Sequence, residues 1–428
     1  MAAPGFLGIP RREAGLTPRP RQPLGLRLFN GAGRALGATG LPLVRLDEGA
    51  LLARATRTTG LDDFGGDAFR EALRRLLDAF EREAGLTLLG RVIARNDVVR
   101  LLENRLRMVE TRRRHPEIEA GAIRRPIFIV GLPRTGTTIL HELLAEDPAN
   151  RVPMTWEVMH PWPPPERATY ETDPRIARVE SHFSGVDRLL PGFKSMHPMG
   201  ARLPQECVAL TAHDFASMIF STTHRVPGYH AWLDAADLRP VYASHRRQLQ
   251  YLQWRCPAER WVLKSPGHLW ALDALLTIYP DALIVQTHRD PLQVIASLTS
   301  LVTLLRSMAS DRIDPLAIAE EWTRRLAAGL ERSMAVRAAG LPATARIFDM
   351  HFSDFIRDEI GMVRRIYTHF GLALAPEAEA RMRRFLAENP RDKHGAHRYT
   401  LAAAGLDPAV ERRRYAGYQD HFGIASER

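Results

Sequence analysis

Apolar residues first recur with a helical period between residues 60 and 115. Phe69, Leu73, Leu76, Leu77 and Phe80 share one helix face, with Arg and Glu between them. After Gly85 a longer set runs from Leu88 and Leu89 through Ile93, Val98, Leu101 and Leu106 to Val109. It closes on Arg112-Arg113-Arg114 and then Pro116, a sequence suited to a helix C-terminus and stop. The pattern changes at Pro126. Ile127-Phe128-Ile129-Val130 is an unbroken, partly β-branched apolar run stopped by Gly131, which predicts a buried strand. Similar runs lie at 261–263, 282–287 and 346–348. Helical patterns at 137–145, 268–278, 291–306 and 315–338 separate or follow them. Strand alternating with helix predicts an α/β fold with a parallel sheet covered on both faces.

The pattern divides the chain into three parts. Residues 1–59 read as a lead-in, partly disordered, because the segment from Met1 to Arg27 mixes Pro, Gly and Arg without a sustained apolar core. Residues 60–122 form an N-terminal helical region, and 123–428 the main domain. Within that domain 151–205 is Pro-rich and reads as irregular structure over the sheet, where acceptor-binding loops would lie. The segment 151–255 also offers Trp156, Trp162, Phe183, Phe193, Met196, Met199 and Phe215 to line an apolar pocket.

Bulk composition adds limits rather than identity. With 428 residues, 45% hydrophobic and 25% charged, the chain is ordinary globular protein. Its two cysteines, Cys207 and Cys256, exclude a disulfide framework and point to a reducing compartment. No apolar run reaches the ~18 residues that span a bilayer, and the N-terminus lacks the form of a secretory signal. A soluble cytoplasmic protein is expected. The net charge of +10 favours anionic partners without choosing among nucleotides, acidic lipids and nucleic acid. No interleaved basic and aromatic motif of the RNA-binding kind is present, so nucleic acid is not the expected partner.

Chemistry enters at Gly131-Leu132-Pro133-Arg134-Thr135-Gly136-Thr137-Thr138, between a predicted strand and a predicted helix. Such a turn presents backbone N–H groups at the positive end of a helix, and glycine lets an oxyanion approach closely. Arg134 adds a forked cation, and the threonines add hydroxyls. Gly131, Gly136 and Thr138 fit the Walker A spacing, but Thr137 stands where the lysine belongs. No acidic strand end follows Leu283-Ile284-Val285. The loop suits a phosphate-like anion without an obligatory magnesium ion. A kinase-like phosphotransferase would need ATP, magnesium and that lysine. A non-catalytic nucleotide- or RNA-binding module is the alternative from another class. His288-Arg289-Asp290 also spells a protein-kinase triplet, but its downstream asparagine, the kinase glycine loop and D-F-G are missing.

With these residues in view, the chain resembles the sulfotransferase family over residues 123–400, especially the branch with PRxGTT-type loops that also holds the protein tyrosine sulfotransferases. The resemblance implies a P-loop-NTPase-like parallel sheet flanked by helices, with an N-terminal helical extension. It implies 3′-phosphoadenosine 5′-phosphosulfate as co-substrate, with no metal required, and a hydroxyl of a small or lipid-like acceptor receiving the sulfuryl group. In that family the loop holds the 5′-phosphosulfate, which puts it on Arg134, Thr135, Gly136, Thr137 and Thr138. Arg289 and Ser297 match the pair that clamps the 3′-phosphate. Lys264, in Trp261-Val262-Leu263-Lys264-Ser265-Pro266, would stabilise charge on the leaving phosphate oxygen. Glu157 occupies a place comparable to the general base of the tyrosine-sulfating relatives. His160 competes with it, and Glu206 is a further candidate. Arg391 and Lys393, in the late basic loop around Gly395, would cover the nucleotide. His394 and His397 share that loop, but no cysteine or acidic cluster completes a metal site.

Overall fold

The computed structural model describes residues 24–37, 43–189, 200–389, 401 and 404–427. At its centre lies a five-stranded sheet ordered β2-β3-β1-β4-β5. The strands are β1 (Ile127–Gly131), β2 (Asn150–Arg151), β3 (Arg260–Lys264), β4 (Leu283–His288) and β5 (Arg346–His351). Every pairing is parallel; Ile129 of β1 lies opposite Lys264 on one side and Val285 on the other. Parallel strands need crossovers that place helices on both faces, so the residues of β1, β3 and β4 are all buried. That is why these strands read as unbroken apolar runs. The two-residue β2 carries too short a pattern to read.

Strand order locates the site. From β1 the chain crosses to β2 and β3 on one side, then to β4 and β5 on the other. Ligands in such sheets bind in the crevice beyond the carboxyl ends of the strands where the order reverses. The carboxyl ends of β1, β3 and β4 carry Gly131, Lys264 and His288-Arg289.

The N-terminal region is α1 (Leu24–Gly37), α2 (Glu48–Thr59), α3 (Ala68–Arg82) and α4 (Leu88–Arg114). The last two follow the apolar period: Leu73, Leu76, Leu102 and Leu106 are fully buried. Burying such a side chain stabilises by about 1.5–3 kcal/mol. They pack with Phe215, Phe220, Tyr229 and Leu233, which staples this region to the main domain. The other two lie within 1–59, read from sequence as a partly disordered lead-in. In α2 the Asp47 side chain caps the Ala50 N–H at 2.8 Å, and Gly60 ends the helix in the left-handed conformation. Only Leu51 and Ala55 of α2 are buried, too narrow a face to give a period. The Pro-rich stretch is likewise partly helical, at Thr155–Met159 and Pro174–Leu189. Among the described residues no helix is long and apolar enough to cross a membrane.

Candidate active site

The loop after β1 runs into α5 (Thr137–Ala145), whose first N–H groups have no partner within the helix. Its path is fixed from below. A Cβ on Gly131 would stand 2.0 Å from Thr287 Oγ1 of β4, and one on Gly136 3.1 Å from the rings of Phe352 and Phe355. Gly136 is also left-handed, at φ 84°, and so is Arg134, at φ 66°. Thr135 does not offer its hydroxyl to a ligand. That group donates to Leu132 O at 2.6 Å, lies 2.6 Å from Thr287 Oγ1, and is wholly buried. Thr135 therefore braces the loop, and any contact it makes with an anion must come from its backbone. Thr137 is buried, whereas Thr138 is exposed and faces a cavity.

Lys264 joins this loop from the end of β3. Its Nζ donates to Glu206 Oε1 at 2.6 Å and to Thr138 Oγ1 at 3.4 Å, and its side chain is only 4% exposed. From the end of β4, Arg289 donates through Nη1 to the carbonyl oxygen of Arg134 at 3.0 Å. The two sequence motifs thus meet in space. The fork of Arg289 also grips Glu427 with both prongs, at 2.8 and 2.9 Å, and its guanidinium lies 4.2 Å from the Phe352 ring. Its neighbours bind the same C-terminal element. His288 Nδ1 lies 2.9 Å from the Tyr418 hydroxyl, and Asp290 accepts from Arg412 at 2.7 Å and from the Glu427 N–H at 2.8 Å. The kinase-like triplet is therefore the seat of the C-terminal helix Pro408–Phe422 and its tail.

Other expected residues fall elsewhere. Glu157 is fully buried and does not line the cavity. Its Oε2 accepts from Arg151 at 2.6 Å; its Oε1 accepts from the Met154 N–H at 3.0 Å and from Tyr170 at 3.1 Å. Arg151 in turn donates to Leu252 O and Cys256 O. Both oxygens of Glu157, expected as the general base, are thus committed within the protein, and the residue is not part of the cavity wall. His160 is pushed down to about 4, first by burial and then by Arg178, Arg100 and Arg175, and it too lies outside the cavity wall. Ser297 lies half-buried two turns into the helix Pro291–Ser307. Arg391 and Lys393 lie outside the described residues, as do Phe193, Met196 and Met199.

A cavity of about 320 Å³ opens at Thr138, Lys264 and Glu206. Its remaining wall is mainly apolar. α4 supplies Ile93, Ala94, Val98 and Leu101; α3 supplies Phe80; later segments add Val158, Met159, Phe183, Leu203, Phe220, Leu305 and Met308. Of the aromatic and methionine side chains expected to line such a pocket, Phe183 does. Trp156 and Phe215 are core residues and Trp162 is exposed. The wall given by the N-terminal helices was not legible, since its residues belong to the same apolar faces that pack the core. Asp97, Glu142 and Glu206 are the cavity's carboxylates. Burial raises Glu142, against the opposing pull of Lys264.

The sheet, the anion-binding loop and an apolar cavity meeting at one cluster define a P-loop-like group-transfer fold. The model of the sulfotransferase family matches residues 126–376, and the chain belongs to that family. It is 39% identical to sulfotransferase STF1 of Mycobacterium tuberculosis H37Rv, with a TM-score of 0.77 over 87% of this chain and 98% of that one. Sulfotransferase STF9 of Mycobacterium avium is 30% identical, with a TM-score of 0.81 over 89% of this chain and 97% of that one. Among curated proteins, omega-hydroxy-beta-dihydromenaquinone-9 sulfotransferase Stf3 of Mycobacterium bovis is 27% identical over 295 residues, 64% of this chain and 70% of Stf3.

Proposed function

We propose that this sulfotransferase moves the sulfuryl group of 3′-phosphoadenosine 5′-phosphosulfate to a hydroxyl on an apolar, lipid-like acceptor, without a metal ion. The observation that carries this reading is the junction of Thr138, Lys264 and Glu206 with the apolar cavity. The similarity to Stf3, whose substrate is a menaquinone derivative, supports the acceptor class.

The residues fit the donor's two anionic ends. Arg134, the N–H groups at the start of α5 and the Thr137 and Thr138 hydroxyls receive the phosphosulfate. Arg289, with Ser297 on the following helix, receives the 3′-phosphate, while Arg391 and Lys393 cover the nucleotide. In the reaction the acceptor oxygen bonds to sulfur as the bond from sulfur to the phosphate oxygen breaks. Glu206 takes the acceptor's hydroxyl proton, in place of Glu157. It stands on the cavity wall 2.6 Å from the Lys264 ammonium, within reach of an acceptor hydroxyl in that cavity. Lys264 turns the same ammonium toward the oxygen on which charge collects as the phosphate leaves. The apolar wall keeps water from competing for the sulfuryl group.

The test is a coupled assay of adenosine 3′,5′-bisphosphate release, with long-chain alcohols and hydroxylated isoprenoid quinones as acceptors and chelator present. Sulfated product from such acceptors supports the reading. Calorimetric binding of magnesium-ATP in preference to adenosine 3′,5′-bisphosphate would overturn it.

A further inference from the structure

Eight large hydrophobic side chains of the described residues are strongly exposed, and five of them, Leu24, Leu28, Phe29, Leu36 and Leu43, fall on or just after α1. Surface apolar residues scattered singly need no explanation, but a cluster on one helix does. At 3.6 residues per turn, Leu24, Leu28, Ala32, Ala35 and Leu36 line one face, and all five are exposed. The opposite face is the one that docks. Asn30, 2% exposed, accepts the Leu89 N–H at 3.1 Å. Gly33 lies so close that a Cβ there would stand 2.5 Å from Leu88. The helix is thus held by its polar and small residues, and its apolar face is turned outward.

The stretch of sequence that carries α1 is basic, although Asp311 pairs with Arg34 and Asp47 and Glu48 follow it. Residues 1–46 contain Arg11, Arg12, Arg19, Arg21, Arg27, Arg34 and Arg45 against a single acid, Glu13. An exposed apolar helix face in an arginine-rich stretch of sequence combines the two signals that together hold a protein on an anionic bilayer. The position also serves the cavity. α1 packs on the first turn of α4, and Arg34 pairs with Asp311 at 2.6 Å. Those neighbouring segments give Ile93, Ala94, Leu305, Met308 and Ala309 to the cavity wall.

We infer that α1 lies on the surface of an anionic membrane and brings the cavity to acceptors carried in that membrane. The choice of acceptor rests on the function proposed above; the membrane contact itself is measured without donor or acceptor, so the two fail separately. Flotation with phosphatidylcholine vesicles, with and without phosphatidylglycerol, is the experiment. Wild type floats with the anionic vesicles and dissociates as salt is raised. Combined Leu28→Glu and Phe29→Glu substitution lowers the bound fraction by about tenfold or more, since the inserted area is lost and negative charge added. Both positions are solvent-exposed, 66% and 45%, so the fold does not depend on them. The wild-type salt series stands without the variant in any case. Failure of wild type to float with anionic vesicles, or equal flotation of the variant, overturns the inference. A wild-type dimer in light scattering that the double substitution makes monomeric also overturns it, because the face would then belong to a second copy.

Discussion

Lys264 and Glu206 form a 2.6 Å ion pair where the loop after β1 meets the apolar cavity. Glu157, outside the cavity wall, is committed to Arg151 and the Met154 N–H. If Glu206 is the base, as proposed, the two glutamates should separate chemistry from stability. Glu206→Gln should lower kcat by about 100-fold or more, as loss of a general base does. Its melting temperature should fall less than that of the Glu157 variant, because Glu206 is partly exposed and the amide oxygen still accepts from the Lys264 ammonium. Glu157→Gln should instead cost about 3–5 kcal/mol of stability by leaving Arg151 uncompensated in the interior. The folded fraction should keep its turnover. Thermal melts and initial rates on both variants decide the matter; full activity in Glu206→Gln beside a stable, inactive Glu157→Gln would return the base to Glu157.

Arg289 spends its fork on Glu427, a carboxylate from the C-terminal tail. A donor phosphate that binds Arg289 must compete with that carboxylate. Glu427→Ala should then tighten adenosine 3′,5′-bisphosphate binding by about two- to fivefold, the scale of a partly exposed ion pair. Arg289→Ala should weaken it by about tenfold to a hundredfold, the loss of charge-assisted hydrogen bonds. Calorimetry measures both. Unchanged affinity in Arg289→Ala would remove this arginine from the nucleotide site.

The sequence carried the sheet because parallel strands covered on both faces must be apolar throughout, as 127–130 and 283–285 are. It carried the loop because close approach to β4 requires Gly131. It could not tell Glu157 from Glu206. A carboxylate's role depends on which side chains of distant strands and helices close around it, and neither Arg151's orientation nor Lys264's reach is a local property. Spacing from the loop arginine favoured Glu157, whereas Glu206, three residues after Leu203 in a Pro-rich turn, offered no period to read. α1 was hidden for a different reason. Its period is short and is broken by Gly25, Gly31, Gly33 and Gly37, residues that weigh against a helix in sequence.

Buried neutral histidines set the acid limit. Burial pushes His141, His213 and His245 down to about 3 and His224 to about 4. In the unfolded chain each takes up a proton near pH 6.5, while the folded chain does not until far lower pH. The stability they permit is therefore full above about pH 6.5 and falls as pH drops from there toward 3–4. Each contributes up to about 1.4 kcal/mol per pH unit in that window. Melting temperature should decline steadily from pH 7 to pH 5. His245→Gln, which keeps a group able to bond the Tyr279 hydroxyl, should reduce the slope. A flat pH profile in wild type would show that these rings are solvated.

The cavity makes a separate prediction about chain length. Ala209 lines it from the short helix Cys207–Thr211, three residues beyond Glu206. Ala209→Phe leaves Lys264, Glu206 and the loop in place and fills part of the apolar space. Each acceptor methylene excluded from such a pocket forfeits roughly 1 kcal/mol or more. kcat/KM should therefore fall steeply for long apolar alcohols and much less for short ones, with adenosine 3′,5′-bisphosphate affinity unchanged. Equal losses on short and long acceptors would mean that the substitution disturbs the reacting centre. No loss on either would mean that the acceptor chain runs elsewhere, and the wall built by α3 and α4 would then be scaffold rather than binding surface.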